Sequence, residues 1–216
     1  MRRITDVLPD GRSYVLGSRY ALSHNRKLAV KIAMCIAEWA EIEVRLAVLL
    51  SLILGSKDKA TLEVFLSLGG RNGQLRALQA AAKESLPSLH FEVFQSMMRH
   101  VHAAANERDR LAHWCWGHSR DLHTLLLVNP RGRSRSEGES WMRFFRQTFE
   151  GHDEIYVVTN ADLDTILKSQ RETLRLVFDF MMTLDEPENE KKTNKLVRSL
   201  AKKLEKLKVP SRVTPP

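Results

Sequence analysis

Between residues 27 and 54 apolar side chains return every three or four positions, as Leu28, Ile32, Ile36, Trp39, Ile42, Leu46, Leu49 and Ile53. That recurrence fits a helix with one buried stripe, and Gly55 supplies its stop. Shorter helical patterns follow over 58–68, ended by Gly69 and Gly70, and over 73–85, ended by Pro87. Ser88 is placed to cap a fourth helix, whose stripe of Phe94, Met97, Val101 and Ala104 continues through Arg108 to Leu111. An arginine therefore stands where the period demands a hydrophobe.

Beyond Gly117 the pattern changes. The runs 125–128 and 155–158 are short, apolar and bounded by turn residues, and 141–149 is rich in aromatics, so two or three β-strands are expected in an insertion over about 120–159. Inside it, PRGRSRSEGES at 130–140 reads as a Gly-, Ser- and Arg-rich loop. Thr159 or Asn160 then caps a helix with Leu163, Ile166, Leu167, Leu174, Val177, Phe178 and Met181 on one face. Residues 1–26 are polar, broken by Pro9, Gly11 and Gly17, and read as an N-terminal arm that docks loosely. The fold class is mainly α: an antiparallel helical bundle over 27–182 carrying a small β-like insertion, followed over 183–216 by a charged C-terminal helix and tail.

In that tail Asp185, Glu186, Glu188 and Glu190 lead into Lys191, Lys192, Lys195, Arg198, Lys202, Lys203, Lys206 and Lys208. Acids first and bases last suits a helix dipole, and Leu196, Leu200, Leu204 and Leu207 supply a narrow apolar stripe. A solvated surface helix and a nucleic-acid binder both fit this pattern. The chain as a whole, 216 residues with a formal charge of +8, favours contact with a polyanion or an acidic partner. Its only cysteines, Cys35 and Cys115, form no C-x-x-C pair, which argues against a disulfide framework or zinc site and for a reducing cytosol. The start reaches Asp6, Pro9, Asp10 and Gly11 before any apolar run, unlike a secretory signal, and the apolar stretch 46–54 is too short to span a bilayer. A cytoplasmic protein without a membrane partner is expected. No Walker-type loop, G-x-G-x-x-G or G-x-S-x-G elbow occurs, and LGGRNGQ lacks the lysine of a phosphate loop.

The chemistry concentrates in NERDRLAHWCWG, residues 106–117. Asp109 and His113, four apart on a helix, are neighbours on one face, and a carboxylate beside an imidazole can orient it. Arg108 lies about 140° around the helix from His113, so one copy presents the two on different flanks. A bend at the helix end, or a second subunit, could still bring them to one function. An arginine on an apolar seam needs a carboxylate or a wet cleft, and Glu38, Glu41 and Glu43 are candidate partners. Trp114 and Trp116 either plug the end of the bundle or stack on unpaired bases. His102, Asp109 and His113 share a stripe, but their spacing offers no third close ligand, so neither a metal nor another cofactor is expected.

The segment RDRLAH, read as Arg-polar-x-x-x-His at the end of the fourth helical pattern, resembles the R-x4-6-H motif of the HEPN superfamily (higher eukaryotes and prokaryotes nucleotide-binding) and is similar to it in placement. The resemblance covers about 27–182 by helix order and leaves the β-like insertion and basic tail outside. It implies an all-α bundle that dimerises along the motif-bearing helices, and a metal-independent endoribonuclease of the kind found in toxin–antitoxin and antiphage systems. Arg108 and His113 would be the active pair and Asp109 the polar residue after the arginine. Cys115 stands where members that pair with a nucleotidyltransferase antitoxin carry a tyrosine.

On this reading the partners are RNA, a second copy of the chain, and an antitoxin or regulatory protein. Arg110, Trp114, Arg131, Arg133 and Arg135 are candidate RNA contacts. An imidazole can move the proton of a ribose 2′-hydroxyl, and a guanidinium can stabilise the charge on a pentacoordinate phosphorus, leaving a 2′,3′-cyclic phosphate. The alternative is a catalytically inactive helical module that binds RNA or a protein partner.

Overall fold

The structure, a computed structural model, describes residues 1–4, 7, 14–16, 18–56, 58–119, 122, 124–129, 155–184 and 190–207. In chain order these form β1 (Arg2–Arg3), β2 (Tyr14–Leu16), α1 (Ser18–His24), α2 (Arg26–Ile53), α3 (Lys59–Ser67), α4 (Gly70–Ser85), α5 (Ser88–His113), β3 (Cys115–Ser119), β4 (Leu125–Val128), β5 (Ile155–Val158), α6 (Asn160–Met182) and α7 (Glu190–Lys206). The fold is mainly helical with one small antiparallel sheet, as the periodicities predict. The loop expected at 130–140 and the aromatic-rich 141–149 lie outside the described residues.

Helix α2 buries Leu28, Ile32, Trp39, Ile42, Leu46, Leu49 and Ile53, but Cys35 rather than Ile36 completes the stripe, and Ile36 is exposed. With Cys35 the steps alternate strictly between four and three, the spacing of a narrow apolar seam. Gly55 ends the helix at φ +62. Its N–H donates to the Leu52 carbonyl and that of Ser56 to the Ser51 carbonyl, a terminus that places glycine in the left-handed region. Asp58 caps α3 by accepting from the Ala60 N–H at 2.9 Å. Ser88, expected as a cap, is the first residue of α5.

By its contacts the chain divides into two units: the described residues of Met1–Ala37 with Asn106–Lys168, and those of Glu38–Ala105 with Ser169–Arg212. Within the first, the sheet runs in the order β1-β5-β4-β3-β2 with every neighbouring pair antiparallel. Leu125 and Leu127 of β4 join a cluster with Leu28, Ile32, Leu111, Trp116 and Leu163. Leu126 and Val128 instead join Ile4, Ile155 and Val157. Side chains alternate across a strand, so both faces of β4 are buried, which is why its sequence is an unbroken apolar run. The arm at 1–26 is not a loose appendage: it supplies both edge strands, with Arg2 opposite Val157 and Leu16 opposite Gly117, and helix α1.

The second unit is a helical bundle around Trp39, Ile42, Leu46, Phe65, Leu78, Phe94, Met97, Val101, Leu176 and Phe180. Full burial of each large side chain contributes roughly 1.5–3 kcal/mol. Two positions depart from the predicted stripes. Phe178 of α6 is exposed, with the Arg45 guanidinium 5.4 Å from its ring centre, while Leu176 and Phe180 take the core. In α7 Val197, Leu200 and Leu204 are buried, and Leu196 is exposed. Among the described residues no helix is long and apolar enough to cross a membrane.

Helix α6 begins at a reciprocal cap. The Thr159 N–H and hydroxyl donate to Asp162 Oδ2 at 2.9 and 2.6 Å, and the Asp162 N–H returns to the Thr159 hydroxyl at 3.3 Å. The Met1 ammonium donates to Asp162 Oδ1 at 2.6 Å. Burial works to raise the Asp162 carboxyl, but the hydrogen bonds from the amine and Thr159, with the amine's charge, outweigh it and hold the group below the usual carboxylate range. A depressed folded-state pKa gives stability that is present above the unfolded value of about 3.9 and is lost as pH falls through the folded value. Asp162→Asn is therefore expected to lower stability by about 1 kcal/mol near neutral pH. In urea unfolding curves the deficit shrinks toward zero in strong acid; a deficit independent of pH would refute the ionic cap.

Candidate functional site

The last turns of α5 separate two flanks. Leu111, on the inner stripe, is almost fully buried, and His113, two residues on, is exposed. The Trp114 N–H makes the final helical bond, to the Arg110 carbonyl at 3.1 Å. The chain then enters β3, and the buried Trp116 indole donates back to the Leu111 carbonyl at 3.2 Å. A helix end leaves carbonyls without intrahelical partners, and this indole satisfies one of them while tying strand to helix.

Arg108 and His113 meet within one chain. Arg108 Nη1 lies 3.2 Å from His113 Nε2, so the long guanidinium arm crosses the 140° offset that separates the two Cα atoms on an ideal helix. No second subunit is needed to bring them together. Asp109 Oδ1 is 3.4 Å from the same Nη1. None of the three glutamates anticipated for Arg108 makes this contact; Glu38 instead accepts from Arg171 at 2.7 Å. Arg108 keeps part of its stripe position: its side chain is 28% exposed, and its Nε is buried without a hydrogen-bond partner among the described residues. The guanidinium is thus half in the protein and half in water, with its free edge toward an exposed imidazole.

Arginine nitrogens only donate, so in this contact Nε2 of His113 is the acceptor, which for a neutral ring assigns the ring proton to Nδ1.

The other flank is covered. Arg110 donates to Glu107 at 3.3 Å and its guanidinium lies 5.5 Å from the Trp114 ring centre. Trp114 in turn packs on Tyr156 at 5.7 Å between centroids. Glu107 is raised above the usual carboxylate range, chiefly by burial, with Asp162 adding to the rise and Arg110 and the Met1 amine opposing it. Both proposed contact residues Arg110 and Trp114 therefore face protein partners. Arg131, Arg133 and Arg135 lie outside the described residues. Trp116 is core. His102 is exposed, and among the described residues no cluster of three or more His, Cys, Asp or Glu side chains is arranged for a metal ion.

Two features of this end escaped sequence reasoning. The Glu107–Arg110 pair was available as an i,i+3 match. The Met1–Asp162 pair joins residues 161 apart and had no local signal.

No family model, no curated protein and no solved structure matches the chain. The site accordingly rests on its own residues and their placement.

The Nδ1–H tautomer is directly measurable. In a long-range ¹⁵N–¹H spectrum recorded where the ring is neutral, Nε2 of His113 is expected to carry the shift of an unprotonated nitrogen, and Arg108→Ala to relax that preference. A neutral His113 protonated on Nε2 in the wild type would mean that the Arg108 contact is absent in solution.

Proposed function

We propose that the chain is a metal-independent endoribonuclease of the HEPN type and that Arg108 and His113 form its active pair. The observation that carries this reading is the 3.2 Å approach of a half-buried guanidinium to an exposed imidazole, from a segment of the form Arg-polar-x-x-x-His at the end of a long helix.

Chemistry follows from the two side chains. A phosphodiester entering the pair offers Arg108 an anion in place of a neutral nitrogen, and charge-assisted bonds to phosphate are the stronger ones. The guanidinium swings to the non-bridging oxygens and leaves the Nε2 lone pair free. Nε2 takes the proton of the ribose 2′-hydroxyl as the 2′-oxygen bonds to phosphorus. The bond from phosphorus to the 5′-oxygen breaks, and that oxygen takes a proton from a general acid, assigned to His113 of a second copy across a two-fold axis, which enters the step as the imidazolium and leaves it neutral while the first His113 becomes protonated. The products are a 2′,3′-cyclic phosphate and a 5′-hydroxyl. Asp109, beside Arg108, limits where the guanidinium can move.

The test is cleavage of mixed RNA in the presence of EDTA by wild type, His113→Ala and Arg108→Ala, each checked for unchanged folding. Loss of the general base is expected to slow cleavage by about 10²–10⁴, and loss of the charge-stabilising arginine by about 10²–10³. An all-deoxy strand should remain intact, because it lacks the nucleophile. Wild-type protein that binds RNA and never cuts it would replace this reading with that of a catalytically silent binding module; cleavage unaffected by either variant would remove the pair from the chemistry.

A further inference from the structure

The exposed side of α7 carries Lys191, Lys195, Arg198, Lys202 and Lys206, all exposed where they stand in the helix. Their steps of four, three, four and four residues keep them within an arc of about 80° at 100° per residue. The buried Val197, Leu200 and Leu204 lie almost opposite, in the core of the second unit. Over fifteen residues the cations make a straight ridge about 22 Å long at a rise of 1.5 Å per residue.

Neighbours at i,i+3 and i,i+4 of like charge destabilise a helix, and the ridge contains four such steps in succession. Among the described residues none of the five is ion-paired, and the one described acid on their flank is Glu205. The cations that do have a fold-stabilising partner stand elsewhere on the helix, as with Lys203, which donates to Asp179 at 2.7 Å. The repulsion persists because the apolar stripe, anchored in the core, fixes the helix regardless.

Three kinds of polyanion could relieve it, and the geometry distinguishes them. An amphipathic helix enters a membrane by its apolar face, but here that face is already buried. Protein interfaces are built around apolar and aromatic centres and are depleted in lysine, whereas this ridge has no apolar centre and is four-fifths lysine. A nucleic acid presents a linear, dense row of charge, one per roughly 1.7 Å of duplex axis, and is held by lysine and arginine on its phosphates.

We infer that the solvent face of α7 is a sequence-independent binding surface for the phosphate backbone of nucleic acid. Lysines act there as point charges and read no bases. The surface is argued independently of the Arg108–His113 pair, and applies to DNA as well as RNA.

The experiment uses the full chain and a labelled mixed-sequence duplex DNA, with affinity measured across a salt series. Each phosphate contact contributes about 0.9 to the slope of log affinity against log salt. The triple variant Lys195→Gln, Arg198→Gln, Lys202→Gln is expected to flatten the slope by about 2 to 3 and weaken binding at 0.1 M salt by about tenfold or more. Arg198→Gln alone should give about one third of the slope change. A control losing equal charge elsewhere, Lys59→Gln, Arg76→Gln, Lys83→Gln, should keep the wild-type slope. Because glutamine retains helix propensity and removes repulsion, the ridge variant should melt no lower than wild type. The inference is overturned if wild type does not bind the duplex, if ridge and control variants lose binding equally, or if the ridge variant loses binding to phosphatidylserine vesicles and not to DNA.

Discussion

A single buried indole ties the end of helix α5 to the sheet. Trp116 stands three residues past the end of helix α5, packs among Leu111, Leu125, Leu163 and their neighbours, and donates to the Leu111 carbonyl. The bond satisfies an acceptor that a helix terminus leaves orphaned, and the packing sets where β3 must start. Because β3 pairs with β2 and β4, the sheet is hung from that point. The helix stops with Leu111 inside and His113 outside.

Arg108 draws its character from the same constraint. Its place on the apolar stripe buries Nε, while the helix end lets Nη1 reach water and His113. A guanidinium in that position has lost part of its hydration and gained only a neutral nitrogen and a carboxylate at 3.4 Å in return. On the proposed function a phosphate is the stronger anion it would take, and partial burial increases the attraction to one. Arg110, two residues on, shows the contrast: it pairs with Glu107 and lies over the Trp114 ring.

Much of this was legible in the residue pattern. The stripe of α5, with its arginine out of place, pointed to the segment that the structure confirms as a partly buried cation beside an exposed histidine. The helices over 27–54 and 160–182 and the strands at 125–128 and 155–158 follow from periodicity and from runs buried on both faces. What periodicity could not give were choices among adjacent positions and pairings over long distance. Cys35 displaced Ile36, Val197 displaced Leu196 and Phe180 displaced Phe178, because one hundred degrees of rotation separates such neighbours, or two hundred for the last pair, and tertiary packing selects between them. The arm's strands depend on partners more than a hundred residues away. For Arg108 and His113 the sequence left two routes open, a bend at the helix end or a second subunit; the two meet within one chain through the reach of the arginine side chain, which helical angles of Cα atoms do not include.

If the two side chains act as one unit, their contributions to catalysis cannot be independent. A kinetic double-mutant cycle on RNA cleavage, comparing Arg108→Ala, His113→Ala and the double variant, tests that directly. The predicted result is a double variant about as slow as the slower single one, since removing either partner already disables the pair. Losses that multiply, with the double variant slower by the product of the two single effects, would contradict it.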